Sequence, residues 1–222
     1  MSYNRFIVGR IIISILKLFP KTQIAQQHRK NEVIFFSSDW HFWHKSISVH
    51  CPDTRYGDTP DQIVGNILTN IYEQTRPGDI LYNTGDASFG TAEQTWSVMS
   101  KIRDMGIEHH LIFGNHDKRI RADQNMQTLF ASCSDKKMIK IGKKEIVLSH
   151  CPFAAGQWDA AHYGSYHFHG HTHGGFSQPG FRSFDVGIDS RPNGDMKLWS
   201  FEELDEILKV IPVIRRHHGN AT

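Results

Sequence analysis

The sequence predicts one α/β domain, with a largely parallel β-sheet flanked by helices and an additional sheet formed by its second half. Three observations support this prediction. Short apolar runs alternate with segments of helical periodicity from residue 32 onward, and the second half is rich in strands. The chain has 222 residues, of which 39% are hydrophobic. That composition supports one sizeable core and excludes collagen, a coiled coil and wholesale disorder.

The first half of the domain reads as strand, helix, strand, helix, strand. The strands are predicted at 33–37, 79–83 and 110–113, and the helices at 60–75 and 91–106. Ile63, Ile67 and Ile71 recur every four residues and mark the first helix, while Thr91 and Gln94 have the spacing of a capping box. Strands that alternate with helices indicate right-handed crossovers and parallel pairing.

The second half of the domain is rich in predicted strands. Two runs at 138–141 and 145–148 surround Gly142-Lys143-Lys144 and predict a β-hairpin. Further strands are predicted at 166–168, 183–186 and 197–199. These strands suggest an additional sheet of the same domain.

The N-terminal segment differs from the rest of the chain. Residues 6–19 are the most apolar stretch, but as a helix they would be about 21 Å long, against about 30 Å for a bilayer core. Arg10 and Lys17 lie on a basic stripe of this amphipathic helix, which could pack on its own domain, a partner or an anionic membrane. We therefore divide the chain into an N-terminal segment and linker (1–31), the domain (32–211) and a polar tail (212–222).

Charge and cysteine content limit the class of protein. The 25 Lys and Arg residues nearly balance 23 Asp and Glu residues, which gives a net charge of +2. The sequence therefore lacks the large excess of basic residues that is typical of proteins that bind nucleic-acid polymers. Three cysteines without a C-x-x-C motif argue against a disulfide framework. The expected location is cytoplasmic, with peripheral contact at the inner membrane surface through residues 6–19 as an open alternative.

Histidine is unusually abundant, at 15 residues, and several histidines directly follow predicted strands together with carboxylates and an amide. The residues in these positions are Asp39, His41, Asp86, Asn115, His116, Asp117, His150, His171 and His173. The carboxyl ends of strands converge at one edge of an α/β sheet, so one polar cluster is expected. Imidazole and carboxylate donors together suit Zn, Mn, Fe or Ni, and do not suit an all-oxygen calcium site. By contrast, His109 and His110 are expected to face solvent.

The order D-x-H, G-D, G-N-H-D, S-H, G-H-T-H resembles the calcineurin-like metallophosphoesterase superfamily, in particular its compact single-domain bacterial and phage members. The motifs run from Asp39 to His173, and the segment FDVGID at 184–189 resembles a strand near the end of that domain. The resemblance implies an α/β/β/α sandwich of two mixed sheets flanked by helices. The dimetal site then lies at the carboxyl ends of the strands.

The resemblance also implies a role for each motif residue. One metal ion is held by Asp39, His41 and His173, the other by Asn115, His150 and His171, with Asp86 shared between them. Mn²⁺ is the first choice, with Fe, Zn, Ni or Mg as alternatives. A hydroxide held by both ions attacks a phosphodiester or monoester, while His116 assists the leaving group and Asp117 orients the His116 imidazole.

Three further residues are candidates for contact with the substrate phosphate, and for each the alternative is an ordinary surface or structural role. These candidates are His44, Arg55 and Arg119. The expected partner is a small phosphoester, with a nucleotide-derived compound as an open alternative. Two alternatives to this function stay open: a lipid-linked pyrophosphate hydrolase at the membrane surface, and a non-catalytic binding scaffold of the same fold.

Overall fold

The computed structural model describes residues 32–213. The predicted amphipathic segment at 6–19 and the tail beyond residue 213 lie outside the described residues. Within the described residues, the chain from Val33 on forms one compact unit. Within the part of the chain that is described, no helix has the length and apolar character needed to cross a bilayer.

The first sheet has five strands in the order β4-β3-β2-β1-β9. Its members are β1 (Ile34–Ser37), β2 (Ile80–Asn83), β3 (Glu108–Ile112), β4 (Ser132–Ser134) and β9 (Trp199–Ser200). The first four pair in parallel, as the strand–helix alternation predicts, whereas β9 pairs antiparallel with β1. The predicted strand at 197–199 therefore completes the first sheet and not the additional one.

The second sheet has four strands in the order β5-β6-β7-β8. They are β5 (Lys136–Ile141), β6 (Lys144–Ser149), β7 (Tyr166–His169) and β8 (Ser183–Asp185). The predicted hairpin forms the antiparallel pair β5 and β6, and the next two strands add in parallel. Both sheets are therefore mixed.

The helices are α1 (Ile47–His50), α2 (Pro60–Gln74), α3 (Ala92–Asp104), α4 (Lys118–Ala122), α5 (Gln124–Gln127) and α6 (Phe201–Leu208). The predicted capping box of Thr91 and Gln94 is present at the start of α3. Helix α6 was not predicted, although Ser200 and Glu203 form a capping box of the same kind at its start.

The core lies on both faces of the first sheet. On one face, strand residues pack against Ile67 and Ile71 of α2 and Met99 of α3. On the other face the two sheets meet, where the rings of Phe36 and Phe168 lie 4.7 Å apart in an edge-to-face arrangement. The prediction of two mixed sheets flanked by helices is confirmed.

The prediction that His109 and His110 face solvent is wrong, because both are buried in β3. The ring of His109 lies 5.4 Å from that of Trp40 and 4.8 Å from that of Phe130. Neither of its ring nitrogens has a hydrogen-bond partner. Burial among apolar rings disfavours the charged imidazolium and lowers the pKa of His109 to about 3.

This buried imidazole should make the protein less stable in mild acid. Below its ordinary pKa of 6.5, His109 takes up a proton in the unfolded chain but stays neutral in the folded protein. Between about pH 7 and about pH 5, His109 should therefore cost about 2 kcal/mol of folding free energy. Urea unfolding at the two pH values measures how much the free energy of unfolding falls. For His109→Phe this fall should be about 2 kcal/mol smaller than for wild type. The exposed His162→Phe is the control. Equal losses in wild type and His109→Phe would contradict this assignment.

Candidate metal centre

The predicted metal ligands follow the carboxyl ends of strands from both sheets. Asp39 follows β1 and Asp86 follows β2, and the backbone N–H of Asp39 donates to the Gly85 carbonyl at 2.9 Å. His150 follows β6, and its carbonyl accepts from the Gly170 N–H at 2.9 Å, just before His171. These backbone bonds bring loops that are distant in sequence to one place.

Asp39, His41 and His173 form the first group of candidate ligands. One donor atom from each lies within 4.8 Å of the others. Asp39 is fully buried, and its carboxylate accepts from the backbone N–H of His171 at 2.9 Å. The Nε2 of His41 lies 3.7 Å from an oxygen of Asp39. This set coincides with the predicted ligands of one metal ion.

His150, His171 and Asn115 lie together in the second group. The His150 Nδ1 donates to the Thr84 carbonyl at 2.9 Å, which directs its Nε2 towards the Asn115 oxygen, also 2.9 Å away. The rings of His150 and His171 are 5.1 Å apart. The Cys151 Sγ also lies within 4.8 Å of donor atoms of His150 and His171.

Asp86 lies between the two groups. One of its oxygens is 3.2 Å from the His150 Nε2 and 3.7 Å from the His41 Nε2, while the other accepts from the His116 N–H at 2.8 Å. Asp86 also belongs to a group of close donor atoms with Asp39 and His150. This placement is the one expected of a carboxylate shared by two cations.

The chemistry of these donors fits divalent metal ions. His41 is 5% exposed, yet neither of its ring nitrogens has a hydrogen-bond partner. A buried unpaired nitrogen is costly, and a cation beside it would satisfy the lone pair. Burial alone would raise the pKa values of Asp39 and Asp86, but the surrounding histidines hold both pKa values below the ordinary range. Both side chains are therefore carboxylates and can bind a cation.

The backbone is strained at the same residues. The φ angles are 56° at Asp39, 47° at His41, 54° at Asp86, 71° at His171 and 47° at His173. Residues other than glycine rarely adopt this left-handed region, and each instance costs on the order of 1–3 kcal/mol. Such strain concentrates at functional sites, where the surrounding structure maintains it.

The backbone of two glycines lies close to the candidate ligands. A Cβ added to Gly114 would overlap the Asp86 carboxylate, and one added to Gly170 would overlap the Ser38 hydroxyl and lie 2.5 Å from an Asp39 oxygen. Any side chain at these positions would displace a candidate ligand. The glycines are therefore required by the packing of the site.

Asp189 supports the first group, and sequence reasoning missed it. Its carboxylate lies 2.7 Å from the His173 Nδ1, and the Cys51 Sγ lies 3.6 Å from the same nitrogen. Burial lowers the pKa of His173, but the hydrogen bonds to Asp189 and Cys51 and the charges of Asp39 and Asp189 together outweigh burial and raise that pKa to about 10. A carboxylate on one ring nitrogen orients the imidazole, and a metal ion bound at the other nitrogen would displace the proton there. In the sequence, the feature that could have indicated this role is the FDVGID segment at 184–189, which ends at Asp189.

Asp185, in the same segment, holds the loop that carries His171 and His173. One of its oxygens accepts from the Thr172 hydroxyl at 2.5 Å and from the Gly174 N–H at 2.9 Å. Burial raises the pKa of Asp185. This residue fixes the position of two candidate ligands through the backbone between and after them.

The structure corrects the prediction that Arg55 contacts substrate. Arg55 is 2% exposed, and its guanidinium donates to both oxygens of Asp189, at 2.7 and 2.6 Å. It also donates to the backbone carbonyls of Trp40 and Asp39. Its donors are thus engaged in a buried ion pair that supports Asp189 and the Asp39 loop, and no free fork faces a phosphate.

The role predicted for Asp117 also needs correction. Its buried carboxylate accepts from the N–H groups of Asp86, Ala87 and Gly114, each at 2.8 Å, and not from the imidazole of His116. Asp117 is therefore a positioning residue for the loops around Asp86. The side chain of His116 is 46% exposed at the rim of the cluster, with its Nε2 3.9 Å from an oxygen of Asp86.

His44 and Arg119 lie on the same side of the site as His116. The His44 ring is 5.6 Å from that of His41, and its Nδ1 accepts from the Ser46 N–H at 3.3 Å, which leaves Nε2 as the donor of the neutral ring. Burial lowers the pKa of His44, so this neutral form is favoured. Arg119 is exposed and donates to the Gly90 carbonyl. Their contact with substrate stays a prediction.

Comparison with known proteins supports the fold. A protein of unknown function from Aquifex aeolicus has a crystal structure that matches with a TM-score of 0.63 and 23% identity, over 80% of this chain and 100% of that one. The phosphoesterase Yfce from E. coli matches with a TM-score of 0.36 and 16% identity, over 64% of this chain and 70% of its own. A predicted phosphoesterase from Streptococcus pneumoniae matches with a TM-score of 0.29 and 15% identity, over 66% of this chain and 65% of that one. No family model and no curated protein matches the sequence.

Proposed function

We propose that this chain is a metal-dependent phosphoesterase that hydrolyses a small phosphodiester or monoester. The observation that carries the proposal is the arrangement of two groups of nitrogen and oxygen donors around the shared carboxylate of Asp86. Two bound divalent ions, with Mn²⁺ as the first choice, would polarise a phosphoryl oxygen and lower the pKa of a water molecule.

The residues of the chain supply the remaining requirements. Asp39 and Asp86 provide buried negative charge where the cations bind. His116 is exposed at the rim, so its imidazole can reach a substrate oxygen and donate a proton to the leaving group. The backbone bond from His116 to the Asp86 carboxylate holds this imidazole beside the donor cluster.

The alternative of a non-catalytic scaffold is disfavoured by the completeness of this set. A protein that only binds a partner has no need for a buried His41 with unpaired nitrogens, or for an exposed imidazole beside it. The alternative of a lipid-linked pyrophosphate depends on residues 6–19, which lie outside the described part of the chain. A substrate panel of cyclic mononucleotides, cyclic dinucleotides, nucleotide pyrophosphates and sugar-lipid pyrophosphates separates these substrate classes.

The purified protein should hydrolyse bis(p-nitrophenyl) phosphate in the presence of Mn²⁺, because the donor set can hold the ions that activate water and phosphate. Chelation should abolish the release of p-nitrophenol, and addition of Mn²⁺ after the chelator is removed should restore it. Metal content measured in parallel shows whether loss of activity follows loss of metal. Turnover that persists in metal-free protein would contradict the proposal.

A further inference from the structure

Phe89 is an aromatic residue in the loop after Asp86, and its ring contacts three imidazoles of the site. Its centroid lies 5.1 Å from that of His41 in a stacked arrangement, 4.6 Å from that of His116 and 4.5 Å from that of His44. The side chain nevertheless remains 38% exposed. Phe89 is thus an apolar surface at the rim of an otherwise polar cluster.

The loop that carries Phe89 is held in place from both sides. The N–H of Phe89 donates to the Phe42 carbonyl at 2.8 Å, and the Gly90 N–H donates to the Ser88 hydroxyl at 3.1 Å. The Ser88 hydroxyl in turn lies 2.9 Å from that of Thr95 in α3. The aromatic surface therefore exists before a ligand arrives, which lowers the entropy lost on binding.

The imidazoles of His41 and His116 do not sandwich the ring of Phe89. The rings of His41 and His116 are 5.8 Å apart, whereas two rings that sandwiched Phe89 would be separated by about twice the distance of each from Phe89. With 38% of its side chain exposed, Phe89 offers aromatic surface to solvent, and its ring lies 4.6 Å from that of His116.

We propose that Phe89 determines specificity for the leaving group and favours phosphoesters whose leaving group carries an aromatic ring. The inference rests on the proposed function, in which His116 gives its proton to the leaving oxygen. A group bonded to that oxygen must lie beside His116, and the exposed ring there is that of Phe89. Stacking of an aromatic ring on Phe89 would remove apolar surface of both from water.

The test compares phosphodiesters whose leaving alcohols have similar acidity but differ in aromaticity: diphenyl phosphate and bis(hexafluoroisopropyl) phosphate. In Phe89→Leu, kcat/KM for the aryl diester should fall about tenfold, while that for the alkyl diester should change less than about twofold. Phe176→Leu is the matched control, because Phe176 is 45% exposed but its ring is 6.5 Å from that of His169 and makes no ring contact with His116.

Binding gives a readout that does not require turnover. The Mn²⁺-loaded protein should bind phenylphosphonate more tightly than cyclohexylphosphonate, and Phe89→Leu alone should lose this preference. If wild type hydrolyses neither diester but keeps the phenyl preference, the proposed function fails and the leaving-group role of Phe89 fails with it, whereas the binding of an aromatic ring by Phe89 stands. Equal losses for both diesters in Phe89→Leu, or an unchanged phenyl preference in binding, would overturn the assignment of Phe89.

Discussion

Replacement of His116 by alanine should lower kcat by about 10²–10⁴-fold, the range typical of general acid catalysis, with bound metal unchanged. The imidazole is not part of either group of candidate metal ligands, and its side chain is 46% exposed beside Asp86. The hydrogen bond from His116 to the Asp86 carboxylate is donated by the backbone N–H of His116, so alanine preserves it. Steady-state kinetics and elemental analysis of the same preparation test both parts of this expectation.

The dependence on the leaving group makes this prediction specific. p-Nitrophenolate leaves without a proton more readily than an alkoxide, so His116→Ala should lose less activity on p-nitrophenyl esters than on alkyl esters. His162→Ala is the matched control, since His162 is an exposed histidine whose ring contacts Tyr163. A variant at position 116 with wild-type turnover on both esters would remove His116 from the reaction.

Replacement of Asp86 by asparagine should lower the metal content and reduce kcat/KM on the order of 10³-fold or more. The Asp86 carboxylate lies 3.2 Å from His150 and 3.7 Å from His41, so its charge reaches both groups of donors. Asparagine keeps the size of the side chain and an oxygen that can accept from the His116 N–H. The change therefore removes charge with little change in packing.

Metal titration by calorimetry and elemental analysis measure the first effect, and the diester assay measures the second. Asp104→Asn is the matched control, because that side chain is 65% exposed and pairs with Arg103 on the surface. Full metal content with full activity in Asp86→Asn would show that the carboxylate is not shared between two cations.

The fold and the position of the site follow largely from local patterns. The spacing of Ile63, Ile67 and Ile71 predicts α2, and the capping box of Thr91 and Gln94 predicts the start of α3. Short elements such as β4 and α5 have too few residues to show a period, so they could not be predicted. The polar residues after the strands could be predicted to meet because parallel strands end at one edge.

The roles of supporting residues could not be predicted in the same way. Arg55 pairs with Asp189, which is 134 positions away, and Cys51 approaches His173, which is 122 positions away. A single sequence gives the type of each residue and its local period, but not the identity of such distant partners. The local sequence around Arg55 therefore predicts a phosphate ligand, whereas its buried ion pair with Asp189 gives it a supporting role.

The sequence alone determined the alternation of the longer strands and helices and the chemical type of the residues at the strand ends, because both depend on neighbouring positions. Only the tertiary structure decided which of these residues face the candidate centre and which support it. Asp117 binds three backbone N–H groups, Arg55 binds Asp189, and Phe89 lies against His116. Apart from the Gly114 N–H, which lies in the same loop as Asp117, the partners in these contacts come from separate loops, and loops take their positions from the packing of both sheets.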